Sequence, residues 1–469
     1  MAIDLRRYQE GDLARLRRAY ALGAIAVVYQ LPTGGGKTIV FAAILALAVL
    51  KGLRCAVLVH RRELVQQASD KLTLAGVPHG IIGAGLDRDH DAGVLVMSVQ
   101  SAARRLDQLV NIDVRLAVID ECHHAVAATY RAVLDCWPRA KRLGVSATPA
   151  RLDGKGLGIH AGGLFDALVI GTSVRALQAD GYLARTRCFV PAQQINTAGL
   201  RTRRGDWEAA ALAERASVVT GDAVAEYRKH ADHAPAIAYG VTVVHAESIA
   251  DAFRAAGYRS ACVHGGLNHR ERDALIAGLG SGAIEVLTSC DLISEGLDVP
   301  DVRAVLLLRP TQSLVLAMQQ IGRGMRPAPD KSHLVVLDFS SNVLRHGLPE
   351  TERAWSLDGV RTRPRGEAQA PGWRCQACGC FNSVGAETCE ECGAARPLPR
   401  RRTPMAIDGT LCEIDADHFQ RITRLPYRTF LSKPRTEREL RAYAQAHGYK
   451  RGWVWHRLQE QHAAAGASP

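Results

Sequence analysis

Lys37 and Thr38 close the run LPTGGGKT (31–38), in which three glycines precede an ammonium and a hydroxyl. Glycines let backbone amides curl round an anion, a lysine there reaches terminal phosphates, and the hydroxyl suits Mg²⁺. The strict phosphate-loop pattern asks for glycine where Leu31 stands, so the run needs support from elsewhere in the chain. Asp120 and Glu121 supply it, at the end of the apolar stretch in VIDECHH (118–124). One carboxylate at such a strand end holds Mg²⁺ and a second orients or deprotonates an attacking water. The strand carrying them is expected to lie directly beside the loop.

A separate chemistry is written in WRCQACGCFNSVGAETCEECG (373–393). Cys375, Cys378, Cys389 and Cys392 form two C-x-x-C knuckles, and four thiolates suit a closed, tetrahedral, structural Zn²⁺. Cys380 falls outside that register and reads as a free thiol. Four reduced cysteines without metal are the plainer alternative.

The elements that must position these groups follow from hydropathy. Continuously apolar runs at 26–30, 55–60, 94–97, 116–120 and 143–146 alternate with helical patterns. The rhythm returns at 236–240, 261–264, 284–287, 304–308 and 334–338. Strands apolar along their whole length are buried on both faces, so the reading is two parallel-sheet α/β lobes in tandem. The stretch between them is expected to be a connector with partial helix, and the Pro-, Gly- and Arg-rich stretches 361–372 and 396–404 to be linkers around the cysteine module.

The chain has 469 residues, 47% hydrophobic and 23% charged, enough for about three domains and too apolar for wholesale disorder. Its longest apolar run, Ile39 to Leu50, is too short to span a bilayer, and the start MAIDLRRYQE has no signal-peptide core. The expected setting is therefore cytoplasmic, with no membrane partner. The net charge of +12 favours a polyanionic partner.

In order along the chain, these residues resemble the superfamily 2 helicases. RRYQ (6–9) is similar to the family's adenine-reading motif, with Gln9 on the base, and LPTGGGKT to motif I, which implies ATP contacts from Thr33, Gly34, Gly35, Gly36, Lys37 and Thr38. VLVHRREL (57–64) and MSVQS (97–101) resemble motifs Ia and Ib, which implies nucleic-acid contacts from Arg61, Arg62 and Gln100. DECH (120–123) is similar to motif II and SAT (146–148) to motif III, which implies coupling roles for His123, Ser146, Ala147 and Thr148. TSCDLISEGLDVP (288–300) and QQIGRGMRP (319–327) resemble motifs V and VI. They imply Thr288 on nucleic acid, Gly296 and Asp298 near the nucleotide, and Gln319, Arg323 and Arg326 reaching across the cleft to the γ-phosphate.

The resemblance implies tandem RecA-like lobes at 1–155 and 234–345, with a connector at 156–233 and a linker at 346–372. A zinc module at 373–395 and a basic linker with helical tail at 396–469 complete it. It further implies an ATP- and Mg²⁺-dependent motor on nucleic acid, DNA ahead of RNA, in DNA repair or phage and bacterial DNA metabolism, with a single-strand-binding or other repair protein as a partner. The Asp-Glu-Cys-His box, LRPTQS (308–313) and the late cysteines make it most similar to RadD-type bacterial and phage helicases. Trp373 and Asn382 also resemble positions of the zinc finger named for Ran-binding proteins, some of which bind single-stranded RNA. Tyr449, Lys450, Arg451, Trp453, Trp455 and Arg457 interleave aromatics with bases, as a stacking surface does; the alternative is the core of a small helical cap. An RNA-remodelling ATPase, a restriction-type motor subunit and a non-enzymatic zinc-ribbon recruitment factor are the competing functional readings.

Overall fold

The computed structural model describes residues 3–60, 62–83, 85–125, 128–151, 155–190, 197, 200–203, 206–217, 220–290, 301–358, 372–383, 385–396, 421–449 and 452–465. The chain divides into two compact units, 1–397 and 398–469.

The first lobe is a seven-stranded parallel sheet: β1 (Ala26–Gln30), β2 (Arg54–Val59), β3 (Gly80–Ile82), β4 (Val94–Ser98), β5 (Val114–Asp120), β6 (Lys141–Ser146) and β7 (Ala167–Ile170), in the order β3-β4-β2-β5-β6-β1-β7. All five residues of β1 and of β4 are buried, as the apolar runs require. Each such Val, Leu or Ile taken from water contributes roughly 1.5–3 kcal/mol. Helices α1 (Arg7–Ala21), α2 (Lys37–Leu50) and α3 (Arg62–Leu74) cover one face through Leu16, Phe41, Val65 and Leu72.

The second lobe is a six-stranded parallel sheet. It contains β8 (Arg185–Phe189), β11 (Ala236–Tyr239), β12 (Ser260–Val263), β13 (Val286–Ser289), β14 (Ala304–Leu307) and β15 (His333–Asp338), in the order β12-β13-β11-β14-β15-β8. A small hairpin of two-residue strands, β9 (Thr202–Arg203) with β10 (Asp206–Trp207), lies between β8 and β11 in sequence. The small module adds β16 (Gly372–Arg374) and β17 (Phe381–Ser383).

Three expectations change. The strand bearing Asp120 is not next to the loop strand, because β6 lies between β5 and β1 and pairs with both. The stretch 156–233 is more than a connector: β7 closes the first sheet, β8 edges the second, and the helices Ala209–Ser217 and Thr220–Ala231 bury Leu212, Ala216 and Tyr227 in the second lobe's core. Part of the 346–372 linker is a strap back to the first lobe. Glu350 accepts from the Thr186 hydroxyl on β8 (2.9 Å), while Leu357 sits in the first lobe's core and its carbonyl accepts from Gly158 N–H (2.9 Å).

The cysteine module is docked rather than tethered. Trp373, Cys375, Cys380 and Cys389 belong to the apolar core of the second lobe, and Cys380 bridges to Phe189 of β8. Trp373 donates its indole N–H to Ala386 and Asn382 donates to the Cys380 carbonyl, so the two positions likened to an RNA-binding finger are spent on packing. Among the described residues, no helix is long and apolar enough to cross a membrane.

Candidate active site

β1 runs into the loop through Leu31, whose side chain is fully buried in the first lobe's core and whose N–H donates to the Ser146 carbonyl (3.1 Å). This explains the departure from the strict loop pattern: Leu31 anchors the loop from below, and the anion cradle is built from Thr33 onward. Gly34 (φ +82°) and Gly36 (φ +78°) take the left-handed conformation that bends the chain into α2. A Cβ at Gly36 would stand 2.6 Å from Gln9 Nε2 and one at Gly34 would stand 2.8 Å from Leu183. Gly36 caps α2 without a side-chain bond, which leaves the helix N-terminus open to an anion.

Thr33, Gly34, Gly36, Lys37, Thr38, Asp120, Glu121, Gln319, Arg323 and Arg326 line one cleft of about 290 Å³ between the lobes. Lys37 donates to the Leu31 carbonyl (3.3 Å). Burial pulls its pKa below the usual lysine range, against the opposing pull of Glu121 and Asp120. Burial, with Glu121 alongside, holds the Asp120 carboxyl above the usual carboxylate range. Both shifts say the same thing: charges are held in low dielectric, where a polyphosphate and its cation interact strongly. The donor set of Thr38 hydroxyl and Asp120 carboxylate fits Mg²⁺, a hard cation that takes oxygen ligands.

Glu121 has φ +47°, a left-handed backbone that costs a non-glycine residue ~1 kcal/mol or more. The turn aims its carboxylate at a chain of partners: His123 Nδ1 at 3.4 Å and the Ser146 hydroxyl at 3.5 Å, with Ser146 also 3.2 Å from His123. Thr148 N–H donates to Ser146 Oγ (3.2 Å), and the Ala147 carbonyl accepts from Gln30 at the end of β1 (3.0 Å). Motif III therefore touches both the acid pair and the loop strand because β6 lies between them. His124 extends the chain, stacking on His60 at 4.2 Å, and Gln100 donates to the His60 carbonyl (2.6 Å).

The second lobe meets the loop through the helix Leu314–Gly324. A Cβ at Gly322 would lie 2.7 Å from Thr33 Cβ, so the glycine is what lets the helix rest on the loop and deliver Arg323 and Arg326. Burial lowers the Arg326 pKa, yet a guanidinium stays charged in this range.

Gln9 is 2% exposed and accepts from Arg6 N–H (3.0 Å), while Tyr8 donates to the Gly35 carbonyl (2.9 Å). α1 is fixed for this by the fully buried Asp12, which accepts from Tyr29 (2.5 Å) and Thr172 (3.3 Å). Three contributors were not visible as motifs. Lys71 on α3 lines the same cleft, and burial lowers its pKa while Asp120 opposes the shift. Tyr182 lies 5.0 Å from the Tyr8 ring and under the Arg6 guanidinium, and Leu183 abuts Gly34. The signal for Lys71 is helical spacing from Leu64 and Gln67, which share its face; Tyr182 carries no such signal.

One expectation is overturned. Thr288 is fully buried and donates to the Ala246 carbonyl (2.7 Å), so it ties β13 to the helix Val243–Ala255 and is not available to a nucleic acid. Arg61, Gly296 and Asp298 lie outside the described residues, as do Arg361, Arg363, Arg365, Arg400, Arg401, Arg402, Lys450 and Arg451. Arg62 opens α3, and its side chain lies outside them too.

Residues 2–151 match the family described as Type III restriction enzyme, res subunit, and residues 222–328 match the helicase conserved C-terminal domain. A 51.5 kDa protein of Lactococcus phage (isolate 7-9) is 34% identical over 375 residues, covering 79% of this chain and 75% of its own. The chain belongs to the superfamily 2 helicases. The putative ATP-dependent helicase IRC3 of Saccharomyces cerevisiae is 29% identical over 356 residues, 71% of this chain, which spans about half (51%) of that protein. In three dimensions the chain is similar to a fragment of a putative HsdR subunit of a type I restriction enzyme from Vibrio vulnificus. That match has a TM-score of 0.57 and 21% identity, and covers 74% of this chain and 67% of that one. The two lobes are the tandem RecA-like pair of the family, and the helicase is an ATP-dependent nucleic-acid motor.

The four knuckle thiols lie within 4.8 Å of one another, with Cys375 to Cys392 at 3.7 Å and Cys378 to Cys389 at 3.5 Å. A tetrahedron with metal–sulfur bonds of about 2.3 Å has edges of about 3.8 Å, so the donor set fits zinc. They are the one such metal-ligating group among the described residues, and Cys380 is outside it, buried with its thiol pushed up to about 12.

Proposed function

We propose that this helicase is a DNA translocase of the RadD type, acting in phage or bacterial DNA metabolism in the cytoplasm. The observation that carries the motor mechanism is the convergence of Lys37, Thr38, Asp120 and Glu121 from one lobe with Arg323 and Arg326 from the other in a single cleft. ATP would lie on the loop amides, with Gln9 reading the base. Mg²⁺, held by Thr38 and Asp120, would offset phosphate charge. Glu121, aimed by His123 and Ser146, takes the proton of the attacking water, and the arginines stabilise the charge that develops on the γ-phosphoryl oxygens.

Because the arginines come from another lobe, hydrolysis depends on closure, and closure is what would step the chain along a strand contacted by Arg61, Arg62 and Gln100. The preference for DNA rests on the RadD-type resemblance and on the phage relative. Zn²⁺ on Cys375, Cys378, Cys389 and Cys392 is assigned a structural role, holding the module against β8. The proposed boundaries are lobes at 1–155 and 234–345 and a zinc module at 373–395, with the stretch 156–233 shared between the lobes.

The test is the steady-state ATPase rate of the full chain with single-stranded DNA, duplex DNA and RNA of equal length. Stimulation by DNA well above RNA is expected; equal or greater stimulation by RNA overturns the DNA assignment. Lys37→Ala retaining full stimulated ATPase overturns the mechanism. The match to the res subunit family supports a restriction-type motor as the second reading, and strand cleavage of a plasmid in the same reactions separates the two.

A further inference from the structure

The tail helices Tyr427–Phe430, Glu437–Ala446 and Gly452–Ala465 belong to the second compact unit. Their aromatic residues divide into two sets. Phe430 and Tyr443 are buried, stacked at 3.8 Å, and Trp453 packs beside them as core. Trp455 is 59% exposed and Tyr449 is 39% exposed. These two line a groove with Glu437, Arg441, Gln445 and Leu458, between the last two helices. Packing therefore accounts for the inner set and, through its stacking on Trp453 at 4.9 Å, for part of Tyr449, and it leaves Trp455 unexplained. An indole held at the surface leaves a large apolar face in water, which a flat apolar partner would cover.

Charge says what kind of partner. Residues 421–465 contain ten Lys or Arg and three Glu. Each Glu is already engaged: Glu437 with Arg441 (2.9 Å), Glu439 with Arg435 (3.6 Å) and Glu460 with Arg457 (2.6 Å). The surplus of this stretch of sequence is cationic, so the partner is a polyanion. Single-stranded nucleic acid is the polyanion that also presents flat apolar faces, since its bases are unstacked; a duplex hides them and an acidic peptide lacks them.

We propose that the groove bearing Trp455 and Tyr449 is a second nucleic-acid site that binds a single strand, stacking a base on Trp455 while the surrounding cations hold phosphates. No residue assigned to ATP enters this groove's lining, so the proposal stands or falls without the motor reading.

The experiment uses the full chain without nucleotide. Photocrosslinking with an oligonucleotide carrying 5-iododeoxyuridine, mapped by mass spectrometry, is expected to mark Trp455 or Tyr449; crosslinks confined to residues 1–397 overturn the proposal. In anisotropy titrations Trp455→Ala is expected to weaken oligo(dT) binding by roughly 5- to 100-fold, with Trp455→Phe largely restoring it. An abasic oligonucleotide of the same length should bind wild type and Trp455→Ala alike. Equal loss on both oligonucleotides, or no loss on oligo(dT), refutes base stacking. Competition by polyglutamate that depends on Trp455 as strongly as oligo(dT) binding does would reassign the groove to acidic peptides.

Discussion

The two lobes start alike and diverge within a few residues. In each, an interior strand, β1 or β11, runs into a turn and a helix. After β1 the turn is glycine-rich and α2 begins uncapped. After β11 the helix Val243–Ala255 caps itself, with the Thr242 side chain accepting from His245 N–H (3.1 Å) and Val241 N–H donating to His245 Nδ1 (3.1 Å). A Cβ at Gly240 would lie 2.9 Å from Ala246 N, so that turn is closed tightly onto its own helix. The difference is where the amides of a helix N-terminus point: toward a ligand in the first lobe, and toward the protein's own side chains in the second. In the proposed mechanism the first lobe would bind the anion, and the second, whose helix start is closed by its own side chains, would supply arginines.

Breaking the arginine side of this division has the largest expected effect. Arg323→Ala should lower stimulated kcat by about 10³-fold, with the KM for ATP changed far less, measured by coupled ATPase assay. On the loop side, Gly36→Ala forces a side chain into a left-handed position against Gln9. ATP binding should weaken at least about tenfold, of order 1.4 kcal/mol, in a fluorescent-nucleotide titration, while the melting temperature of the second lobe stays put.

Acid should separate the lobes next. Burial holds His245 in the second lobe at about 4 and His346, at the end of the helix Asn342–His346 that packs on that lobe, at about 4, and Val241 N–H requires His245 Nδ1 to be unprotonated. A histidine whose folded pKa is depressed leaves the unfolded state binding more protons, so stability falls as pH drops from about 6.5 toward 4. The second lobe should lose on the order of 2–3 kcal/mol per histidine at the bottom of that window, seen as its own unfolding transition in calorimetry against pH. His245→Asn should flatten part of the slope. The smallest effect is Thr242→Ala, which removes the cap and should cost the second lobe ~1 kcal/mol in urea unfolding without altering ATPase.

Much of the site was legible because its signals are local. Gly-Gly-Gly-Lys-Thr, Asp-Glu and Arg-x-x-Arg each sit within a few residues, where a turn or strand end dictates what they present. Lys71 and Tyr182 were illegible because each reaches the site from an element whose tilt depends on contacts far away in sequence. The strap 350–357 reads as linker in the sequence because the partners of Glu350 and Leu357, Thr186 and Gly158, lie over 150 residues earlier. Thr288 shows the opposite failure: a motif position places it on nucleic acid, while on β13 its hydroxyl points to the helix Val243–Ala255 and donates to the Ala246 carbonyl.

The amino-acid order by itself determined that there are two parallel-sheet lobes, a phosphate cradle, a pair of acids and a cysteine tetrad, since these follow from periodicity and short-range spacing. Only the tertiary structure decided that β6 separates β5 from β1, that the cysteine module is part of the second lobe's core, and that Trp453 is half-buried while Trp455 is exposed. Those outcomes depend on which distant surfaces meet, and burial of apolar area is non-directional, so nothing within a short window specifies them.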